Sequence, residues 1–185
     1  MRIVGGAHRG RALAAPRSQA IRPTSDRLRE SVFDILAHGF DDPVSDATVI
    51  DLFAGTGALG LEALSRGAAR ALFVDDGAPA RALLRANIET LGLGGVTRVF
   101  RRDATKLGLA PVDEGFSLAF LDPPYSQTLA PPALRALHEG GWLTKDSLVV
   151  IEEAATESIQ LPEAYVAEDA RKYGDTQVVF ARYRG

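Results

Sequence analysis

The stretch Thr48-Val49-Ile50-Asp51-Leu52-Phe53-Ala54-Gly55-Thr56-Gly57-Ala58-Leu59-Gly60 decides the fold. Its first six residues form a short β-rich run. Gly55, Gly57 and Gly60 then match G-x-G-x-x-G ahead of a segment that reads as a helix through about Arg66. Such glycines permit a tight turn and close approach of the backbone to a ligand. A glycine-tolerant strand–helix turn with no ligand would satisfy the same pattern, so the signal is general.

Outward from this turn, strands and helices alternate. The sequence predicts strands at Ala71–Asp75, Val96–Arg101, Phe116–Leu121 and Leu148–Glu152. Ala80, Leu83, Leu84, Ile88 and Leu91 mark an amphipathic helix, and another is expected over about 128–139. The tail reads as two strands, about 164–172 and 176–183, around a turn at Gly174-Asp175. The fold class is α/β, a doubly wound and mostly parallel sheet with helices on both faces. In the other direction, Asp41-Asp42-Pro43-Val44-Ser45-Asp46 is a polar boundary loop. It divides the chain into an N-terminal segment, 1–45, and a sheet-forming segment, 46–185. The first contains an expected hairpin (residues 2–5 with 11–14), then a helix starting at Pro23-Thr24-Ser25-Asp26 with Leu28, Val32, Ile35 and Leu36 on one face.

Ligands of such sheets bind at the carboxyl ends of the strands, and four loops there carry chemistry. Asp51 precedes the first glycine by four residues. A pyrophosphate gains nothing from that carboxylate, whereas the ammonium of an amino-acid moiety does. Phe53 also breaks the small-residue pattern of dinucleotide sites. Both features shift the expected cofactor from NAD to S-adenosylmethionine, with Gly55 and Gly57 in the same turn. Asp75, about 20 residues beyond the glycines, can accept bonds from ribose hydroxyls. After the third strand, Asp103-Ala104 offers a carboxylate to an adenine amine, or simply a turn aspartate. The most specific loop is Asp122-Pro123-Pro124-Tyr125. Two prolines fix φ and lack N–H, so they present carbonyl oxygens rigidly. Asp122 and the Pro123 carbonyl can hold both hydrogens of a planar amine, and Tyr125 offers a ring for a base.

The 185 residues carry a net charge of −3 and no cysteine. Disulfides, thiolate metal sites and cysteine nucleophiles are thereby excluded. No apolar run is long enough to span a bilayer. The basic N-terminus lacks the apolar core of a signal peptide, so a cytoplasmic location is expected. The charge is unevenly spread. Residues 1–30 hold seven arginines against two acids, whereas residues 31–185 carry 14 basic and 22 acidic groups. A basic arm on an acidic body suits contact with phosphates, and a solvated arginine-rich terminus is the alternative.

With these residues in place, the chain resembles the class I S-adenosylmethionine-dependent methyltransferases of exocyclic amines, and within them the RsmD family. The resemblance rests on Met1-Arg2-Ile3-Val4-Gly5-Gly6 with Arg9-Gly10-Arg11, on Arg22-Pro23-Thr24 with Asp26-Arg27 and Arg29-Glu30, on Asp51–Ala68, on Asp122–Tyr125 and on Tyr173-Gly174-Asp175-Thr176. Asp75 departs from it, because the family usually has glutamate there. The resemblance implies a seven-stranded sheet with an antiparallel last strand. It also implies methylation of guanine N2 in small-subunit (16S) ribosomal RNA. The enzyme is expected to be a monomer that needs no metal and no membrane. The substrate would be the RNA or the assembled small subunit, contacted through Arg9, Arg11, Arg22, Arg27 and Arg29. Rival readings are methylation of adenine N6 or protein glutamine, a non-catalytic ribosome-assembly factor, and an NAD-dependent oxidoreductase, which leaves Asp122–Tyr125 unexplained. His8, His38 and His138 fit neither a metal site nor a triad. Trp142 reads as packing and Asn87 as a structural hydrogen-bonding residue.

Overall fold

The computed structural model describes residues 1–17 and 24–185. The glycine-rich turn joins β1 (Thr48–Leu52) to α2 (Ala58–Ser65), with α1 (Asp26–Gly39) preceding them. Then come β2 (Arg70–Val74), α3 (Ala78–Leu91), β3 (Thr97–Phe100), β4 (Phe116–Leu121), α4 (Ala130–Glu139) and β5 (Leu143–Ala154). The hairpin of β6 (Tyr165–Tyr173) and β7 (Thr176–Tyr183) ends the chain.

The seven strands form one sheet in the order β3-β2-β1-β4-β5-β7-β6. From β3 to β5 all neighbours are parallel, and β7 runs antiparallel to both β5 and β6. Strand order reverses beside β1, where β2 lies on one side and β4 on the other. A crevice forms at such a switch point because the flanking crossover helices diverge to opposite faces. Alternate strand residues face opposite sides of the sheet. Val49, Phe73, Phe120 and Val150 meet α1, α2 and α3 on one face. Ile50, Leu52, Leu121 and Ile151 meet α4 and Trp142 on the other.

Three details differ from the sequence reading. β5 begins at Leu143 rather than Leu148. The early part, Thr144-Lys145-Asp146, is exposed and polar, so it lacks strand-like alternation. A shift in register between Phe116 and Leu118 lets β4 accommodate it. The N-terminal hairpin is reduced to one bridge, Arg2 with Ala12, flanked by bonds such as Ile3 N–H to the Arg11 carbonyl at 2.9 Å. The reason is competition. The Val4 and Gly5 N–H groups donate instead to the Glu62 carboxylate on α2, at 3.0 and 2.8 Å. Finally, Ile3, Leu13, Val32, Phe33 and Leu36 from the first segment lie in the same core as the sheet. The two expected segments thus share buried apolar surface.

Ser25 caps α1, its hydroxyl accepting from Leu28 N–H at 3.1 Å. Asn87 is structural, as read. Its side chain accepts from Ala14 N–H at 2.7 Å and donates to the Thr56 carbonyl at 3.0 Å. Trp142 is fully buried and donates to the Gly108 carbonyl at 2.9 Å. Among the described residues no helix is long and apolar enough to cross a membrane.

Candidate active site

The carboxyl ends of β1, β2, β3, β4 and β5 open onto one cleft of about 820 Å³. Asp51, Asp75, Asp103 and Asp122, each from a different strand end, line it, as do Thr24 and Glu152. An amine- or sulfonium-bearing ligand would meet carboxyl groups at several points of this otherwise largely apolar wall.

Asp51 is buried beneath the glycine turn. Its Oδ2 accepts from Gly60 N–H at 3.0 Å. A Cβ on Gly60 would collide with the Phe73 ring and sit 3.1 Å from that same oxygen, so only glycine lets α2 approach so closely. Burial, reinforced by the charge of Asp75, pushes the Asp51 carboxyl up to about 8 against the pull of the Gly60 N–H. Phe53 also lies on the cleft wall, held at φ 57°. A bulky residue rarely occupies that left-handed region, so this turn stores strain at the ligand site. Gly55 lines the cleft too. Gly57 does not: it sits at φ 80° behind the wall, where a Cβ would strike Leu84. Its expected cofactor contact is corrected to a turn and packing role.

Asp75 uses both oxygens to organise the two flanking loops. Oδ2 accepts from Gly55 N–H at 2.9 Å and Oδ1 from Gly77 N–H at 2.8 Å. Each carboxylate oxygen has a second lone pair, so acceptor capacity for ribose hydroxyls remains. Asp103 Oδ1 accepts from the Thr105 hydroxyl at 2.7 Å and its N–H at 2.8 Å. Those two bonds hold the carboxyl below the usual carboxylate range. The turn role read as the alternative is therefore present, on the cleft wall beside Ala104.

Pro123 is buried, and Pro124 is exposed at the cleft. The Asp-Pro-Pro-Tyr loop is tied down at both ends. Asp122 Oδ2 lies 3.1 Å from the Thr24 hydroxyl, which also lies 3.0 Å from Glu152 Oε2. The Tyr125 hydroxyl donates to Glu152 Oε1 at 2.9 Å and lies 2.7 Å from Thr176 Oγ1. Burial first, then the Glu152 carboxylate, raises the Asp122 carboxyl well above its ordinary value, while the Thr24 hydroxyl pulls it down. Burial likewise raises the Tyr125 phenol, which stays protonated. The sequence reading missed Thr24 and Glu152 as site residues. Glu152 carried a faint signal, as an acid ending the apolar run Leu148–Ile151. Thr24 carried only its place at a helix start and in the Arg22-Pro23-Thr24 stretch of the family resemblance.

The N-terminal arginines divide. Arg9, Arg11 and Arg27 are exposed, and Arg11 also donates to the Thr90 carbonyl at 2.7 Å. Arg22 lies outside the described residues. Arg29 is fully buried and cannot meet RNA, which corrects the sequence expectation. It pairs with buried Glu62 at 3.4 Å and with Asp26 at 2.9 Å, and donates to the carbonyls of Thr24 and Arg2. The first segment still borders the cleft, because Met1 Sδ contacts the Thr56 hydroxyl at 3.6 Å and Thr24 reaches Asp122. No group of three or more metal-ligating side chains occurs among the described residues.

Residues 1–182 match the family model described as conserved hypothetical protein 95. The chain is 40% identical over 153 residues to ribosomal RNA small subunit methyltransferase D of Escherichia coli K12, covering 82% of this chain and 74% of that protein. It is 35% identical over 190 residues to YlbH of Bacillus subtilis 168, covering all of both. The solved structure of yhhF from Escherichia coli superposes with a TM-score of 0.84 at 31% identity, covering 100% of this chain and 98% of that one.

Proposed function

The chain belongs to the RsmD family of ribosomal RNA methyltransferases, whose model is described as conserved hypothetical protein 95, and from that premise we propose that it methylates a guanine N2 amine in small-subunit ribosomal RNA. The observation that carries the reading is the convergence of Asp51, Asp75 and Asp122 with the Pro123-Pro124 loop in one cleft. The donor set suits S-adenosylmethionine. Asp51 would face its ammonium and Asp75 its ribose hydroxyls, with Phe53, Gly55, Asp103 and Ala104 completing the wall. When bound, the cofactor supplies an electrophilic methyl group.

The protein's own residues do the rest. The guanine N2 lone pair is delocalised into the ring, so the free amine is a poor nucleophile. Asp122 and the Pro123 carbonyl accept its two N–H groups and favour a more tetrahedral nitrogen, with the lone pair aimed into the cofactor cleft. Much of the rate comes from this positioning. Positive charge then develops on the nitrogen beside Asp122, so the attraction grows in the transition state. Asp122, or water beside it, takes the released proton. The Tyr125 ring stacks on the extruded base, a contact worth roughly 1–3 kcal/mol.

Tritiated methyl transfer to small ribosomal subunits from cells lacking this gene, followed by nucleoside analysis, tests the reading. Labelled N2-methylguanosine is expected. Label in N6-methyladenosine or in protein overturns it.

Two more results are expected. Because Asp51 is protonated up to about 8 and the cofactor ammonium favours its ionised form, binding near pH 7 expels a proton. Calorimetric enthalpies measured in buffers of different ionisation heat should then differ, whereas identical enthalpies would show that Asp51 does not meet a cation. Replacing Arg9, Arg11 and Arg27 together by alanine should weaken RNA binding and reduce the slope of log K against log salt by about 2. Cofactor affinity should be unchanged, and an unaltered slope would remove these arginines from the RNA interface.

A further inference from the structure

One hydroxyl group bridges two carboxyl groups in the cleft. Thr24 Oγ1 is 3.1 Å from Asp122 Oδ2 and 3.0 Å from Glu152 Oε2. A hydroxyl carries a single proton and can donate to only one of these oxygens. The other contact is a hydrogen bond only when its carboxyl group is itself protonated and donates to Thr24. The bridge therefore accommodates one proton shared by the pair, which titrates as a unit.

Glu152 reaches further than Asp122. Its second oxygen accepts from the Tyr125 hydroxyl at 2.9 Å, and that hydroxyl is 2.7 Å from Thr176 Oγ1. One β5 carboxyl thus fixes both ends of the Asp122–Tyr125 loop, indirectly through Thr24 and directly through Tyr125. The sequence separations are large: 98 residues from Thr24 to Asp122 and 128 from Thr24 to Glu152. Thr24 is itself held, since its carbonyl accepts from the buried Arg29 guanidinium at 3.2 Å.

We propose that Thr24 and Glu152 are positioning residues of the methyl-transfer site, sharing a proton with Asp122 and thereby setting both its orientation and its charge state. This rests on the function proposed above. Thr24 engages Oδ2, which leaves Oδ1 for the substrate amine. When that amine loses its proton to Asp122, no electron pair or co-reactant beyond the pair is needed. Before the step the shared proton sits on Glu152, which donates to Thr24, and Thr24 donates to Asp122 Oδ2, so Asp122 is the carboxylate. The amine gives its proton to Asp122 Oδ1, the N–H bond electrons stay on nitrogen, and the pair then holds two protons until one leaves to solvent. The charged and titratable groups facing Asp122 among the described residues are Glu152 and Glu153 from β5, Asp51 from β1 and Tyr125 from its own loop. The neighbouring carboxylate raises the Asp122 carboxyl, so removing that charge must lower it.

The test titrates carboxyl carbons by NMR in the full chain without cofactor, using wild type, Glu152→Gln and Thr24→Val. Glu152→Gln keeps the shape of the side chain and one acceptor for Tyr125. It is expected to move the Asp122 titration down by on the order of one pH unit. The acid limb of the methyl-transfer rate should move with it. Thr24→Val should lower kcat on the order of tenfold with KM for RNA and cofactor affinity unchanged, and Thr24→Ser should restore it. An Asp122 titration unmoved by Glu152→Gln overturns the proposal, as does a Thr24→Val loss that Thr24→Ser fails to restore. A merely structural role would lower the melting temperature and leave the titration in place. If the wild type transfers no methyl to ribosomal RNA, the functional reading falls alone, because the NMR titration still decides the coupling.

Discussion

Asp122→Ala is expected to abolish methyl transfer, lowering the rate by on the order of 10³ or more, while S-adenosylmethionine still binds within a few-fold. The expectation follows from where the carboxylate lies. It sits on the β4 loop beside the two prolines, whereas the cofactor's ammonium and ribose are read onto two other carboxylates of the same cleft, Asp51 and Asp75. Single-turnover transfer and equilibrium binding of the cofactor measure the two halves. Retained turnover would sink the assignment of Asp122. Stability should move the other way. Burial and Glu152 raise the Asp122 carboxyl in the folded protein, so the native state holds its proton more tightly than the unfolded chain. As pH rises above the ordinary carboxylate value, 3.8, that difference costs stability. The alanine variant should therefore match or exceed the wild-type melting temperature at neutral pH, with an advantage that shrinks as the pH falls towards that value. A site whose removal stabilises the fold is one kept for its chemistry.

Glu62→Ala is expected to do the opposite, costing roughly 3–5 kcal/mol and about 10 °C of melting temperature. Glu62 is fully buried on α2. It accepts from Val4 and Gly5 N–H, from Arg29 Nε and from Arg66 Nε at 2.9 Å. Removing it leaves the buried Arg29 guanidinium without its buried counter-charge and two backbone donors without acceptors. Breaking one side of such a pair is costly because the surviving charge stays out of water. The N-terminal segment should also become sensitive to limited proteolysis. Calorimetric melting decides the point. A melt unchanged by Glu62→Ala would show that the buried Arg29–Glu62 pair does not hold the N-terminal segment to α2.

Much of the site was legible without coordinates because its residues sit at local landmarks. Asp51, Asp75 and Asp122 each follow an apolar run, Asp103 stands two arginines beyond one, and the end of a strand is a local event. Once strands alternate with helices, right-handed crossovers bring those ends to one edge. The amine chemistry of Asp122–Tyr125 was readable from the residues, and the family resemblance added guanine N2 as the target and an antiparallel last strand. Arg29 was less transparent, although Arg29, Phe33 and Leu36 are spaced i, i+4, i+7 along α1 and share its buried face. An arginine on that stripe is read as solvated unless a partner is known, and its partner, Glu62, lies 33 residues away. Gly57 was misread for a related reason. The G-x-G-x-x-G pattern does not distinguish a glycine that faces the ligand from one that makes room for Leu84.

By itself the sequence determined the element order, the parallel sheet and the four carboxylate-bearing loops, since periodicity and strand ends are properties of neighbouring residues. Only the tertiary structure decided which arginine is buried, which glycine meets the cleft, and that Thr24, Asp122, Glu152, Tyr125 and Thr176 form one hydrogen-bonded chain. Those relations join the residue ahead of the α1 cap, the loop after β4, and strands β5 and β7. Their geometry depends on how the elements pack, because a hydrogen bond tolerates only a few tenths of an ångström and no local pattern encodes a distance between residues 98 or 128 positions apart.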